Sequence, residues 1–98
     1  LLVRDSQYDM AVTAQVAQQS VEEDKVNAFI GYTDSDSVLA SGRIFQDAGI
    51  PYLTVGATSP KLPSQIGDKV FLAAFGDNVQ AAAGADAVAR SRVRRRVA

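Results

Sequence analysis

The 98-residue sequence contains no cysteine, no histidine and no tryptophan. Without cysteine, the chain can form neither a disulfide nor a thiolate metal site. The absence of both histidine and cysteine also removes the usual general base, the usual soft nucleophile and most metal ligands of enzymes. We therefore expect a protein that is not an enzyme and that holds no cofactor and no metal.

Long hydrophobic runs are also absent. No stretch approaches the ~18 apolar residues of a membrane span, and the first residues lack the charged and apolar regions of an export signal. Any export signal is therefore expected to have been removed or to lie upstream. The 47% apolar and 21% charged residues are typical of one small globular α/β domain with a single core.

Charge is unevenly distributed, although the formal net charge is only -1. Five arginines lie within seven residues near the C-terminus: Arg90, Arg92, Arg94, Arg95 and Arg96. Such a run could bind nucleic acid or a membrane surface, but it contains no aromatic residue and no RNA-binding or zinc motif accompanies it. We interpret it as a solvated helix end and expect no nucleic-acid partner.

Apolar periodicity predicts alternating helices and strands. Helices are expected at about 10–24, 38–48 and 78–91, the first capped by Asp9 and the second ended by Gly49 and Pro51. Strands are expected at 26–30, 51–55 and 70–75, with parts of further strands at 1–4 and 93–98. This alternation predicts a parallel, doubly wound, Rossmann-like α/β sheet that helices cover on both faces.

Ligands of open parallel sheets bind beyond the carboxyl ends of the strands. Two segments there, 31–37 and 56–59, combine a glycine with several hydroxyl groups, and the first also begins a helix whose free N–H groups favour an anion. The candidate ligand-binding hydroxyls are those of Ser35, Ser37, Thr58 and Ser59. The alternative is purely structural, in which the serines cap the helix and the later pair satisfies a turn.

Carboxylates offer weaker alternatives. Asp34 and Asp36 could form a metal or acid–base pair, but acidic residues at a helix start also favour its positive dipole end, so capping is preferred. A receiver-like phosphorylation domain with Asp34 as acceptor would need a late lysine at a strand end. Lys61 and Lys69 lie instead in a loop interrupted by proline.

Four stretches resemble the leucine/isoleucine/valine-binding proteins and their extracellular ligand-binding receptor relatives, and together they cover nearly the whole chain. The Gly-Ala-Thr-Ser-Pro loop at 56–60, at its distance from Gly31, is the most specific part. The resemblance implies that residues 1–98 are a single partial N-terminal lobe of a type I periplasmic binding protein, without the lobe's first strand and without the second lobe. The stretches are 2–9, 24–31, 48–62 and 70–81.

The same resemblance implies a ligand site. Ser35 would contact the α-carboxylate of an amino acid. Gly56, Ala57 and Thr58 would supply a backbone carbonyl to the ammonium group and a hydroxyl and an N–H to the carboxylate. An acidic residue of the second lobe would complete the ammonium site. Relatives have small or hydroxyl residues where this chain has Asp34 and Asp36, and two carboxylates there would repel a ligand carboxylate unless they face solvent.

The implied function of the parent protein is solute binding for an ABC-type transporter. An amino acid or a related small carboxylate or amide would be trapped between two lobes by hinge closure and delivered to a membrane permease, in the periplasm or outside the cell. The alternative is a ligand-sensing regulatory or receptor domain of the same fold. A polypeptide of these 98 residues alone is expected to form a homo-oligomer, because its sheet would lack a central strand.

Overall fold

A computed structural model describes residues 1–91. Helices and strands alternate in this part of the chain, as the sequence predicts, but a short helix at Leu62–Ile66 forms where the sequence predicts a loop. The elements are α1 (Met10–Glu22), β1 (Phe29–Ile30), α2 (Ser35–Asp47), β2 (Tyr52–Thr54), α3 (Leu62–Ile66), β3 (Val70–Leu72) and α4 (Asp77–Arg90). The expected strand at 93–98 and the arginines Arg92, Arg94, Arg95 and Arg96 lie outside the described residues.

The three strands form one parallel sheet in the order β1-β2-β3. One cross-strand row consists of Phe29, Tyr52 and Val70, and the next row consists of Ile30, Leu53 and Phe71. Successive residues of a strand point to opposite faces. The first row accordingly belongs to the core, whereas Ile30 and Phe71 are 68% and 54% exposed.

The core lies between this first face of the sheet and the helices α1, α2 and α3. Tyr52 and Phe45 are fully buried at its centre, and Phe29 stacks on Phe45 with ring centroids 4.4 Å apart. The Tyr52 ring meets both phenylalanines edge-on, and its hydroxyl lies 3.2 Å from the Ser41 hydroxyl. Burying this phenol raises its pKa well above the ordinary range.

Local signals fix the helix boundaries. The Asp9 carboxylate accepts hydrogen bonds from the N–H groups of Ala11 and Val12 at 2.8 and 3.0 Å, which confirms it as the N-cap of α1. At the end of α2, Gly49 adopts a φ of 71°, and the N–H of Ile50 bonds back to the Phe45 carbonyl at 2.9 Å. The predicted glycine stop is therefore confirmed.

Residues 1–4 were expected to be a strand, and that expectation is wrong. The segment pairs with no strand of the described sheet, and Leu1, Leu2 and Val3 are exposed. It is held at its end by Arg4, whose guanidinium forms hydrogen bonds of 2.7–3.0 Å with the Asp24 carboxylate. Apolar residues form a strand only where a neighbouring strand satisfies the backbone groups, and the described residues supply none at this position.

Helices cover only one face of the described sheet, which differs from the expectation of two covered faces. The strand order never reverses between β1 and β3, so right-handed crossovers place successive helices on the same side. α4 buries none of its residues, and no element within residues 1–91 covers the second face, where Ile30 and Phe71 are exposed. Among residues 1–91, no helix is long and apolar enough to cross a membrane.

Candidate functional site

The loops that leave β1 and β2 meet at one edge of the sheet, because the carboxyl ends of parallel strands lie together. Their contact is between Thr33 and Gly56. A Cβ atom placed on Gly56 would stand 2.9 Å from both Cα and Cβ of Thr33, closer than non-bonded carbon atoms approach. The two segments that the sequence identified as candidates are therefore adjacent.

Ser35 is the first residue of α2 and is partly exposed. The residue before it, Asp34, caps the helix by accepting a 2.8 Å hydrogen bond from the Ser37 N–H. The preferred capping role of Asp34 is therefore confirmed, whereas Asp36 lies in the first turn and is exposed to solvent. The free N–H groups of a helix start leave a partial positive charge beside Ser35.

Gly56, Ala57 and Thr58 follow β2 and differ in exposure. Ala57 is buried, whereas Gly56 and Thr58 are partly exposed. The Thr58 carbonyl accepts a 2.8 Å hydrogen bond from the Asp77 N–H, which fixes the loop against the start of α4. Within residues 1–91, the hydroxyls of Ser35 and Thr58 form no hydrogen bond with protein atoms, so both can bond a ligand. The serine and threonine hydroxyl groups that do form such bonds are those of Ser20, Ser41, Thr54, Ser64 and Ser91.

The other two candidate hydroxyl residues, Ser37 and Ser59, differ from each other in exposure. The Ser37 side chain is almost fully buried, so this residue belongs to the packing of α2 and not to a ligand surface. Ser59 is partly exposed, and its backbone carbonyl accepts from the Leu62 N–H at 3.3 Å; a turn role for its hydroxyl stays a prediction.

Sequence reasoning missed two residues that organise the loops. Tyr32 follows Gly31 with a positive φ of 57°, and its carbonyl accepts a 2.9 Å hydrogen bond from the Thr54 hydroxyl. Burial raises the pKa of the Tyr32 phenol above its ordinary value, so this side chain stays neutral near the site. A threonine inside a strand is ordinary, and nothing in the sequence marks the hydrogen bonds that Thr54 forms.

A groove of about 860 Å³ runs between residues 1–6 and β1. It lies along the open edge of β1, whereas the candidate site lies beyond the ends of the strands. The groove therefore marks an unpaired sheet edge rather than a place for the ligand. Among the described residues, no cluster of three or more acidic, histidine or cysteine side chains could hold a metal ion.

Chemically, the site can hold a small anion or zwitterion with neutral groups. Two free hydroxyls, backbone N–H groups and a helix start are suited to a carboxylate, since each offers a donor without a buried positive charge. Backbone carbonyls of the loop after β2 can accept from an ammonium or amide group.

Known proteins share this fold. The chain is 28% identical to a leucine-binding protein, LivK, from Thermotoga maritima, with 89% of this chain and 25% of that chain covered and a TM-score of 0.79. It is also 28% identical to the branched-chain amino-acid transporter substrate-binding protein LivJ from Streptococcus pneumoniae, solved with isoleucine, with 78% and 22% covered and a TM-score of 0.72.

A solute-binding protein of an ABC transporter from Rhodopseudomonas palustris, solved with 3,4-dihydroxybenzoic acid, shares the fold at 18% identity. There 95% of this chain and 25% of that chain are covered, with a TM-score of 0.87. This chain thus spans about a quarter of the length of the solved structures that it matches. Its α/β architecture is a partial type I periplasmic binding protein fold.

No curated protein sequence matches the chain. The sequence profile of a family described as Periplasmic binding protein, however, matches residues 1–98. The chain belongs to the periplasmic binding protein family.

Proposed function

We propose that this chain is the ligand-contacting part of the first lobe of an ABC transporter solute-binding protein. One observation carries the proposal: the loops after β1 and β2 touch at Thr33 and Gly56 and present the free hydroxyls of Ser35 and Thr58 at the same edge of the sheet. The relatives are binding proteins, and we propose that the whole protein likewise binds its solute without transforming it.

The proposed ligand is an amino acid or a related small carboxylate or amide. Ser35 and Thr58 would donate to the carboxylate, together with N–H groups at the start of α2. A carbonyl of Gly56 or Ala57 would accept from the ammonium group. Capping engages the Asp34 carboxylate and Asp36 faces solvent, which reduces the repulsion that two acidic neighbours would otherwise exert on an anion.

The proposal also includes the context of the whole protein. A second lobe would close over the ligand by a hinge motion, and the loaded protein would deliver its solute to a membrane permease in the periplasm or outside the cell. The length of the matched structures supports this, because the chain spans only about a quarter of each.

For a polypeptide limited to these 98 residues, we propose self-association. In the part of each copy that the structure describes, one sheet face carries the exposed apolar side chains of Ile30 and Phe71. Each also has a helix, α4, whose apolar residues Val79 and Val88 have no cover. A second copy can cover both the sheet face and α4 with apolar side chains of its own.

Calorimetric titration of the intact protein that contains this segment tests the solute-binding function. L-Leucine, L-isoleucine and 3,4-dihydroxybenzoate are suitable probes, since proteins of this fold bind them. We expect saturable binding of at least one probe at a stoichiometry of about one, as for a single site between two lobes. Absence of saturable binding of all three probes would overturn the proposal.

A further inference from the structure

We infer that Thr54 is a positioning residue that holds the loops after β1 and β2 in their relative places. It is the last residue of β2, and its side chain is 0% exposed. Its effect on ligand affinity rests on the solute-binding function proposed above, whereas its effect on loop order does not.

The Thr54 side chain joins two strand ends through one hydroxyl group. Oγ1 donates a 2.9 Å hydrogen bond to the Tyr32 carbonyl in the loop after β1. The same oxygen accepts a 3.3 Å hydrogen bond from the Ala57 N–H in the loop after β2. One hydroxyl has one proton to donate and two lone pairs with which to accept, so both bonds form at the same time.

The Thr54 backbone extends the connection to a third strand end. Its carbonyl accepts a 3.0 Å hydrogen bond from the Ala73 N–H, directly after β3. All three strands therefore connect to one buried residue at the edge where the candidate ligand-binding residues lie. Thr54 does not reach that surface itself, because it is buried beneath it.

Both hydroxyl partners lie close in sequence to proposed ligand-binding residues. Tyr32 is two residues before Asp34. Asp34 caps α2 and so fixes the start of that helix, of which Ser35 is the first residue. A positive φ is unfavourable for tyrosine and persists only where surrounding contacts hold it, and the bond from Thr54 is one such contact. Ala57 lies between Gly56 and Thr58, so its N–H fixes the other loop.

The competing interpretation is that Thr54 serves only to fill the core. Valine has nearly the same shape as threonine but lacks the hydroxyl, so Thr54→Val would keep the packing and remove both hydrogen bonds. Serine keeps the hydroxyl and lacks the methyl group, so Thr54→Ser should keep the connection between the loops. If Thr54 only fills the core, Thr54→Ser should be the more harmful substitution and Thr54→Val the less harmful one.

The first measurement is amide hydrogen exchange at Ala57 in the intact protein without ligand. We expect exchange at Ala57 to become about tenfold faster in Thr54→Val and to stay within about twofold of the wild type in Thr54→Ser. Unchanged exchange in Thr54→Val would overturn the inference whether or not the protein binds solute.

The second measurement is calorimetric affinity for whichever of the three probes the wild-type protein binds most tightly. We expect roughly tenfold weaker binding in Thr54→Val, which corresponds to about 1.4 kcal/mol, and a change of less than about threefold in Thr54→Ser. Ser41→Ala is the matched control, because Ser41 is a buried hydroxyl that bonds the Ser37 carbonyl and Tyr52 and has no bond to either loop. It should lower the melting temperature and leave the affinity unchanged.

The two measurements separate the two claims. If the wild-type protein binds none of the three probes, the proposed function fails and exchange at Ala57 alone decides the role of Thr54. If the wild type binds a probe and Thr54→Val binds that probe equally well, the positioning role is overturned while the proposed function stands.

Discussion

Gly56 and Thr33 lie in direct contact, although they are 23 positions apart in the sequence. A Cβ atom added to Gly56 would stand 2.9 Å from Cα of Thr33 and 3.1 Å from its carbonyl oxygen. In glycine, a hydrogen atom takes the place of that Cβ. Because the obstructing atoms belong largely to the backbone, they cannot move aside as a flexible side chain would. Glycine is therefore required at position 56 by close approach rather than by an unusual φ.

Gly56→Ala should reduce the free energy of unfolding by about 1–3 kcal/mol, the usual cost of forcing an extra methyl group into packed structure. Urea denaturation of the wild type and the variant measures this difference. Gly84→Ala is the control, because nothing lies within 4 Å of that position in α4. Alanine there should instead raise stability by about 0.5–1 kcal/mol through its helix propensity. Equal effects of the two substitutions would contradict the proposed contact.

Ser35→Ala and Thr58→Ala should each weaken solute binding by the intact protein by about 1.5–3 kcal/mol, the range for a lost hydrogen bond to a charged group. Their stability should change little, since neither hydroxyl bonds protein atoms within residues 1–91. Titration calorimetry with L-leucine provides the measurement. Ser64→Ala is the control, because the Ser64 hydroxyl, in α3, bonds the Lys61 carbonyl just before that helix and none of the proposed ligand-binding residues. Unaltered affinity in both site variants would remove these residues from the site.

The sequence predicts those features of the fold that depend on neighbouring residues. Asp9 and Gly49 act through groups only a few positions away, so their residue types alone indicate where a helix starts or stops. The loops that carry the candidate residues Ser35 and Thr58 are predicted in a similar way, because a glycine followed by hydroxyl residues after an apolar run predicts a loop at a strand end.

Features that depend on distant partners could not be read in this way. Leu1, Leu2 and Val3 have strand-like composition, but a strand forms only where a neighbouring strand is available. The two hydrogen bonds of Thr54 depend on the register between β1 and β2, which local spacing does not determine. Similarly, Ser37 was indistinguishable from Ser35 until the direction of α2 showed which of the two faces the core.

The ionisation of Asp68 should make the free energy of unfolding depend on pH. Gln46 Nε2 donates a 2.9 Å hydrogen bond to Asp68 Oδ1, and this bond holds the pKa of the carboxyl below its ordinary value. A depressed pKa in the folded state favours the ionised form, so the contribution is present above the unfolded pKa of about 3.9 and is lost as the pH falls through the folded value.

Gln46→Ala should therefore raise the pKa of Asp68 toward its ordinary value. Titration of the Asp68 carboxyl carbon by NMR, in the wild type and in the variant, measures this directly. Asparagine cannot titrate, so the free energy of unfolding of Asp68→Asn should fall less than that of the wild type as the pH is lowered. An identical Asp68 midpoint in the wild type and in Gln46→Ala would show that this hydrogen bond has no influence on the carboxyl.

A polypeptide of these 98 residues should associate in solution, because the sheet face that carries Ile30 and Phe71 is apolar and uncovered. Burying these two side chains against a second copy should stabilise the complex by about 1.5–3 kcal/mol each, so Ile30→Gln and Phe71→Gln should shift the equilibrium toward monomer. Leu39→Gln is a control of similar apolarity, since Leu39 is also exposed but lies on α2. Multi-angle light scattering over a hundredfold range of concentration gives the mass of each species. A wild-type chain that stays monomeric across that range, with cooperative unfolding, would show that the bare sheet face needs no second copy to remain soluble.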